Sequence, residues 1–459
     1  MPMISFIRQR QPLLFAGDIA LILAATQLST WLRLGHSVQV FSVFTGASTF
    51  TCLIYMAMLY IFDLYNVNRA RFTKDVGVRL SVAVGTAGVF SAVLFYSLPN
   101  WVFGRGIFLI QMMLVLVLLF GWRWLFATVI SAPMVRNEIL IVGAGRSGRA
   151  LYSLLETQES PYKAVGFLDD DPAKWGENIG TVSVLGTTDQ LTEIAAQKGV
   201  EIAILAITHD RSQELVDRVV KGRLNGLTIR DMPAIYEELT ASIPVEHLRN
   251  DWLLFASGFT LISKQHVQRI KHLIDFVTSG LLLIISAPVM LLTAIAIKIE
   301  SRGPVFFKQE RVGKDGEIFL TFKFRSMRER AEDKGAVWAS EDDPRVTKVG
   351  RVIRVLRIDE LPQILNVFRG DMSLIGPRPE RPEFVRELES RIPYYGIRHI
   401  VRPGITGWAQ VKYGYGASVE DALKKLEYDL FYLKNMSILL DIKILLKTIG
   451  VVLFGQGAR

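Results

Sequence analysis

Hydrophobic positions dominate the first 135 residues of this chain in four nearly unbroken stretches, about Leu13 to Leu32, Val43 to Leu64, Val76 to Leu98 and Ile107 to Ile130. At 1.5 Å per helical residue each is long enough to cross a hydrocarbon layer of about 30 Å. Basic residues punctuate them unevenly. Arg8 and Arg10 precede the first stretch, Arg69, Arg71, Lys74 and Arg79 crowd the second link, and Arg136 follows the fourth, whereas the links near His36 and Asn100 are poor in them. The positive-inside rule therefore sets the N-terminus, the second link and everything after residue 135 on the cytoplasmic side. The first stretch is too long, and too lacking in a small-residue cleavage site, for a removed signal peptide. Asp18, Asp63 and Arg123, in or near these spans, are expected to pair at an interface or between helices.

From Asn137 to Met232 the period changes. Glu138 to Val142, Ala164 to Leu168, Ile202 to Ile207 and Leu227 to Arg230 read as strands, with a helix over Asp189 to Lys198 among them. This alternation predicts a doubly wound α/β domain over residues 136–262. Gly143-Ala144-Gly145-Arg146-Ser147-Gly148 turns from a strand into a helix, and Asp169, Asp170 and Asp171 follow some twenty residues on, which is a dinucleotide fingerprint. Gly143, Gly145 and Gly148 either cradle a nucleotide or serve only the tight turn and close helix packing. No Tyr-x-x-x-Lys pair follows to support dehydrogenase or epimerase chemistry, so a ligand-sensing or scaffold module is expected.

A fifth apolar segment, His272 to Ile299, has Pro288 near its middle and basic residues on both flanks: Arg269 and Lys271 before, Lys298, Arg302 and Lys308 after. The segment either crosses as an ordinary span, which would put one basic flank outside, or is a helix broken at Pro288 that dips into the bilayer and returns, which keeps both flanks in the cytoplasm and is the expected form. The run Ile438 to Phe454 carries Asp441, Lys443 and Lys447, and reads equally as an interfacial helix or a core helix.

Half of the 459 residues are hydrophobic, and the formal charge is +9. Positive-inside flanks and anionic headgroups account for that excess, so no nucleic-acid partner is expected. Cys52 is the only cysteine, which rules out an intramolecular disulfide and cysteine ligation of zinc, and the six His residues show no metal-ligand spacing.

The richest chemistry lies in Leu356-Arg357-Ile358-Asp359-Glu360-Leu361-Pro362-Gln363, with Arg354 upstream and Arg378 downstream. Asp359 either caps a helix over Leu361 to Phe368 or, kept ionised by arginines, serves as a nucleophile while Glu360 holds a metal. With Phe306-Phe307-Lys308-Gln309-Glu310-Arg311-Val312-Gly313, Phe322-Lys323-Phe324-Arg325-Ser326-Met327, Gly376-Pro377-Arg378-Pro379 and Val401-Arg402-Pro403-Gly404-Ile405-Thr406-Gly407-Trp408-Ala409-Gln410, these motifs resemble the polyprenyl-phosphate hexose-1-phosphate transferases. In layout the whole chain resembles their long form, the undecaprenyl-phosphate glucose phosphotransferases.

The resemblance implies a multi-domain α-helical membrane protein of the bacterial inner membrane. Four transmembrane helices (1–135) would precede a cytoplasmic, non-catalytic Rossmann-like domain (136–262) and a mainly helical, monotopic catalytic domain (263–459) whose re-entrant helix is 272–299. The activity implied is transfer of a hexose-1-phosphate from a UDP-sugar, glucose or galactose, to undecaprenyl phosphate. UMP would leave, a phosphosugar would pass through Asp359, and Mg²⁺ would sit on Glu360; the reaction starts exopolysaccharide, capsule or O-antigen synthesis. Lys323, Arg325, Arg354, Arg378 and Arg402 are candidates to neutralise phosphate charge. Trp408 and Gln410 either contact nucleotide or sugar or pack. Relatives often have Ser-Pro at the helix break, where this chain has Ser286-Ala287-Pro288. A homodimer is compatible with the resemblance. The rival readings are a membrane-tethered NAD-dependent nucleotide-sugar epimerase or dehydratase working at the Gly143 turn, and a non-enzymatic scaffold for polysaccharide assembly.

Overall fold

The computed structural model describes residues 2–35, 46–62, 64–65, 74–97, 105–130, 136–157, 160–208, 211–248, 265–328, 345–414, 416 and 418–453; Asp63, Arg69 and Arg71 lie outside them. The apolar N-terminal stretches form α1 (Pro2–Leu34), α2 (Gly46–Ile61), α3 (Lys74–Ser97) and α4 (Arg105–Leu125), the last continuing into a π-helical turn, Phe126–Ile130. Pro12–Arg33, Val76–Phe95 and Gly106–Thr128 are long and apolar enough to cross a membrane, while Ser48–Ile61 in α2 is apolar but shorter. Arg123 Nη2 donates to Asp18 Oδ2 at 2.6 Å with both side chains shielded, so these two charges do pair between helices.

The chain divides into two compact units, one of residues 1–144, 149–203 and 218–228, the other of 145–148, 204–217 and 229–459. The α/β sheet has strands β1 (Asn137–Val142), β2 (Tyr162–Leu168), β3 (Asn178–Ile179), β4 (Val182–Gly186), β5 (Ile202–Leu205) and β6 (Thr228–Asp231), in the order β3-β4-β2-β1-β5-β6. β1, β2 and β4 pair in parallel, and β3 is antiparallel to β4. Ile139 to Val142 are buried without alternation, the pattern of a strand covered on both faces. Its helices are α5 (Arg146–Thr157), α6 (Leu191–Lys198), α7 (Gln213–Leu224) and α8 (Met232–Thr240).

The C-terminal part starts with α9 (Gln265–Glu300) and the antiparallel hairpin β7 (Phe306–Val312) and β8 (Ile318–Phe324). Then follow α10 (Lys348–Val355), α11 (Ile364–Arg369), β9 (Ser373–Ile375), α12 (Pro382–Arg391), β10 (Gly404–Thr406), α13 (Trp408–Lys412), α14 (Val419–Lys434) and α15 (Ile438–Leu453). β9 and β10 pair in parallel. The helical assignment runs through Pro288 without interruption, where the sequence reading expected a break. A proline removes one ladder bond and can bend a long helix without ending it.

The core holds Val367, Met372, Trp408, Leu426, Leu430 and Tyr432 together with Ile243, Val245 and Leu248. Residues 229–248 belong to the same compact unit as the C-terminal part, and Ile243, Val245 and Leu248 share its core. On α15, Ile438, Leu439, Ile442 and Ile449 are exposed while Ile444 is buried, the face of an amphipathic surface helix.

Candidate active site

Three elements bring the chemistry together. Thr347 caps α10 by accepting the Gly350 N–H, and the helix stops at Arg357, which is left-handed (φ 56°, ψ 18°). A non-glycine residue in that region is strained, and here it opens the 3₁₀ turn Ile358–Gln363 whose first turn carries Asp359 and Glu360. Asp359 thus lies inside the turn instead of capping a helix, and the helix expected from Leu361 becomes α-helical only at Ile364.

The two carboxylates have opposite surroundings. Lys323 Nζ, from β8, donates to Glu360 Oε1 at 2.8 Å, and Arg378 Nη2, from the turn after β9, donates to the same oxygen at 2.6 Å. Arg378 and Lys323 hold Glu360 well below the usual carboxylate range although burial alone would raise it. Burial, then repulsion from Glu360, pushes Asp359 up, against Lys323, Arg354 and Arg357. Asp359 Oδ1 is buried and has no hydrogen-bond partner among the described residues.

The Arg378 turn is fixed from behind. A Cβ on Gly376 would lie 2.5 Å from the Arg402 carbonyl oxygen and 2.9 Å from the Gly404 nitrogen, so the two loops meet backbone to backbone. Arg398 Nη2 donates to the Arg378 carbonyl at 2.9 Å, and that guanidinium pairs with Asp429 at 2.9 Å, both side chains buried. Sequence reading did not single out Arg398 or Asp429. Only their burial among apolar neighbours distinguishes them, and charge spacing alone does not reveal it.

The remaining candidates separate by partner. The Arg354 guanidinium forms no hydrogen bond or ion pair among the described residues, yet its charge acts on Asp359. Arg325 is buried, donating to the carbonyls of Arg302 (2.8 Å) and Ser301 (3.0 Å) at the end of α9, a helix-capping task. Arg402 Nη1 meets His272 Nδ1 of α9 at 2.8 Å. Trp408 is buried against Phe431 and Gln410 Nε2 donates to the Ile405 carbonyl, so both are engaged within the fold.

Among the described residues no three His, Cys, Asp or Glu side chains cluster as a metal cage. Mg²⁺ is commonly held by one or two carboxylates plus substrate phosphates and water. Glu360 Oε2 has only a 3.5 Å contact with Arg378 Nη1 and Asp359 Oδ1 has none, so the dyad fits a cation that arrives with a diphosphate.

In the α/β domain, Gly143 needs its glycine (φ 108°), whereas a Cβ on Gly145 would meet nothing within 4 Å. Asp169, placed where a dinucleotide ribose would be read, accepts the Ala144 N–H at 2.7 Å and pairs with Lys174 at 3.2 Å. The acid of the fingerprint is engaged by its own loop.

Residues 266–455 match the bacterial sugar transferase family, and residues 60–233 match a CoA-binding domain family. The UDP-glucose:undecaprenyl-phosphate glucose-1-phosphate transferase of Caulobacter vibrioides is 43% identical over 190 residues, covering 41% of this chain and 71% of that protein. The chain belongs to the bacterial sugar transferase family. The chain is also 48% identical over 225 residues to the UDP-N-acetylgalactosamine-undecaprenyl-phosphate N-acetylgalactosaminephosphotransferase of Aeromonas hydrophila, covering 49% of the chain and 52% of that protein. To the undecaprenyl-phosphate glucose phosphotransferase of Komagataeibacter xylinus it is 35% identical over 357 residues, 75% of the chain and 65% of that protein. The chain thus spans between half and two thirds of the length of these last two relatives.

Proposed function

We propose that the chain transfers a hexose-1-phosphate from a UDP-hexose to undecaprenyl phosphate, releasing UMP, at a cytoplasmic membrane face. The observation that carries this is the Asp359 carboxylate, whose buried Oδ1 has no partner among the described residues, beside a Glu360 that two cations hold ionised. In the first step an Asp359 oxygen bonds to the β-phosphorus, the bond from that phosphorus to the bridging oxygen breaks, and UMP leaves with the bridging oxygen. In the second, a phosphate oxygen of undecaprenyl phosphate bonds to the same phosphorus and the Asp359 carboxylate is released, leaving the lipid diphosphosugar.

Lys323 and Arg378 orient Glu360, and Arg354 offers its guanidinium to the transferring phosphoryl group. Mg²⁺, when bound at Glu360 and the diphosphate, would offset phosphate charge. The relatives above are named for glucose and for N-acetylgalactosamine, so the hexose is the open choice of this reading, beside the glucose or galactose that the motifs imply. The product is the lipid-linked sugar on which exopolysaccharide, capsule or O-antigen is built.

The packing of α9 supports its return to the cytoplasmic face. Near its start, Lys271 pairs with Asp441 at 2.5 Å, Asp275 accepts the Leu374 N–H at 3.2 Å and Phe276 stacks on Phe368. At its end, Ile297 packs with Phe324 and Ile353, and Glu300 accepts the N–H groups of Lys348 and Val349. Between these anchors Ile284, Ile285, Leu291 and Leu292 are largely exposed. A straight helix of 36 residues spans about 54 Å, so one catalytic domain holding both ends favours a bent helix inserted from one side.

The test is UMP release by the purified protein, with undecaprenyl phosphate and Mg²⁺, from a panel of UDP-glucose, UDP-galactose and their N-acetylamino forms. Release that needs the lipid acceptor is expected with one of them. Turnover that instead needs added NAD and no lipid would replace this reading with the epimerase.

A further inference from the structure

Residues 234–265 lie between the two matched family regions, and the described part of that segment is tied to the catalytic core. α8 ends at Ala241, which is left-handed (φ 55°), and the Ala241 carbonyl accepts the Trp408 indole N–H at 2.8 Å. The Ile243 N–H donates to the Glu427 carbonyl at 3.0 Å, while Glu237 takes Lys434 at 2.6 Å. Ile243, Val245 and Leu248 are buried in the same core as Trp408. At the far end, His247 Nδ1 lies 3.1 Å from Ser147 Oγ, whose hydroxyl also meets Thr208 Oγ1 at 2.9 Å. Ser147 belongs to the glycine-rich turn. At the near end, Trp408 follows Gly407, where a Cβ would lie 2.2 Å from the Gly376 carbonyl oxygen, and Gly376 stands two residues before Arg378.

Simple packing would explain Ile243, Val245 and Leu248. It does not require that the indole N–H be met by a left-handed cap, or that a buried serine of the glycine-rich turn be held by the histidine at the segment's other end. We propose that residues 232–248 act as a coupling strap, positioning the Arg378 turn through Trp408 and carrying the state of the glycine-rich turn to it through His247. Trp408, His247 and Ser147 are then positioning residues for the transfer reaction. The activity arm of the test rests on the transferase reading; the exchange arm does not.

The test is a double-mutant cycle in the full-length protein, because coupled sites fail to add. Trp408→Phe keeps the ring and deletes the N–H; it should lower kcat about tenfold with KM for the UDP-hexose nearly unchanged, since the lost positioning acts on the reacting dyad. Ser147→Ala should lower kcat about threefold, and the double variant should fall no further than Trp408→Phe alone. His247→Asn retains a group at the Nδ1 position and should stay close to wild type, whereas His247→Ala should reproduce Ser147→Ala.

Amide hydrogen exchange of the peptide over residues 373–381 reads the same coupling without the reaction. It should quicken in Ser147→Ala and Trp408→Phe and not in His247→Asn. Wild-type exchange in Ser147→Ala, losses of kcat that multiply in the double variant, or losses that follow melting temperature with no rescue by His247→Asn would each overturn the strap. Absent UMP release by the wild type, with exchange still responding to Ser147→Ala, would overturn the transferase reading and leave the strap standing.

Discussion

Asp359 and Glu360 are neighbours in sequence with opposite fates, because two cations donate to the Glu360 carboxylate while Asp359 Oδ1 is buried without a hydrogen-bond partner among the described residues. The arginines around them divide in the same way. Arg354→Ala should cut UMP release at least tenfold while the melting temperature holds, since among the described residues its guanidinium has no internal partner to lose. Arg325→Ala should do the reverse, lowering stability by about 1–3 kcal/mol, because it empties a buried site and leaves the Ser301 and Arg302 carbonyls beyond α9 without their donor. Thermal scans alongside single-turnover assays separate the two. That Asp359 and Glu360 stand among arginines was legible in the sequence. The carbonyls that Arg325 meets were not, because a motif gives the neighbour in sequence and not the hydrogen-bond partner.

His399 supplies a pH prediction. Burial, then Arg398, lowers it from its ordinary 6.5 to about 4, and Glu389 at 3.8 Å is too distant and too exposed to reverse this. The unfolded chain therefore takes up the proton first. The stability due to neutral His399 is fully present above pH 6.5 and is lost as pH falls through about 4, to a limit of about 3 kcal/mol. His399→Gln should flatten the fall in melting temperature between pH 7 and pH 4.5; an unchanged slope would show that another group carries it.

At the scale of elements, apolar runs set between helical stretches were readable and isolated polar-rich strands were not. Glu138 to Val142 and Ala164 to Leu168 are strands as their apolar runs predict, and the runs at Ile202 and Leu227 hold the shorter β5 and β6. The β3–β4 and β7–β8 hairpins and the β9–β10 pair escaped, the first and last for want of length and β7 and β8 because charged residues interrupt their alternation. Pro288 was read as a break because a turn there would keep both basic flanks on one side, yet a helix this long keeps enough of its ladder to continue through it. The glycines of the β9 and β10 loops reveal their purpose only in three dimensions. Gly376→Ala, forced against the Arg402 carbonyl, should destabilise by about 1–3 kcal/mol and displace Arg378 from Glu360. The expected readout is loss of UMP release at a temperature where circular dichroism still reports folded protein; full activity there would show that the close approach is not needed.

For the whole molecule, the proposed orientation rests on charge asymmetry, and the proposed return of α9 on the contacts that both of its ends make with the C-terminal part. Cysteine labelling on a Cys52→Ser background should place Lys264 and Lys308 on the cytoplasmic side and His36 outside. External labelling at Lys308 but not Lys264 would show that the segment crosses. The packing of Ile243, Val245 and Leu248 into the core of the C-terminal part was not legible, because three apolar residues in a short segment carry no period that names their neighbours. The central claim is that Asp359 carries the phosphosugar. Mass spectrometry of protein quenched after UDP-hexose is added without lipid acceptor should find a hexose-phosphate mass on the Asp359 peptide, absent in Asp359→Asn; the same adduct persisting in Asp359→Asn would contradict it.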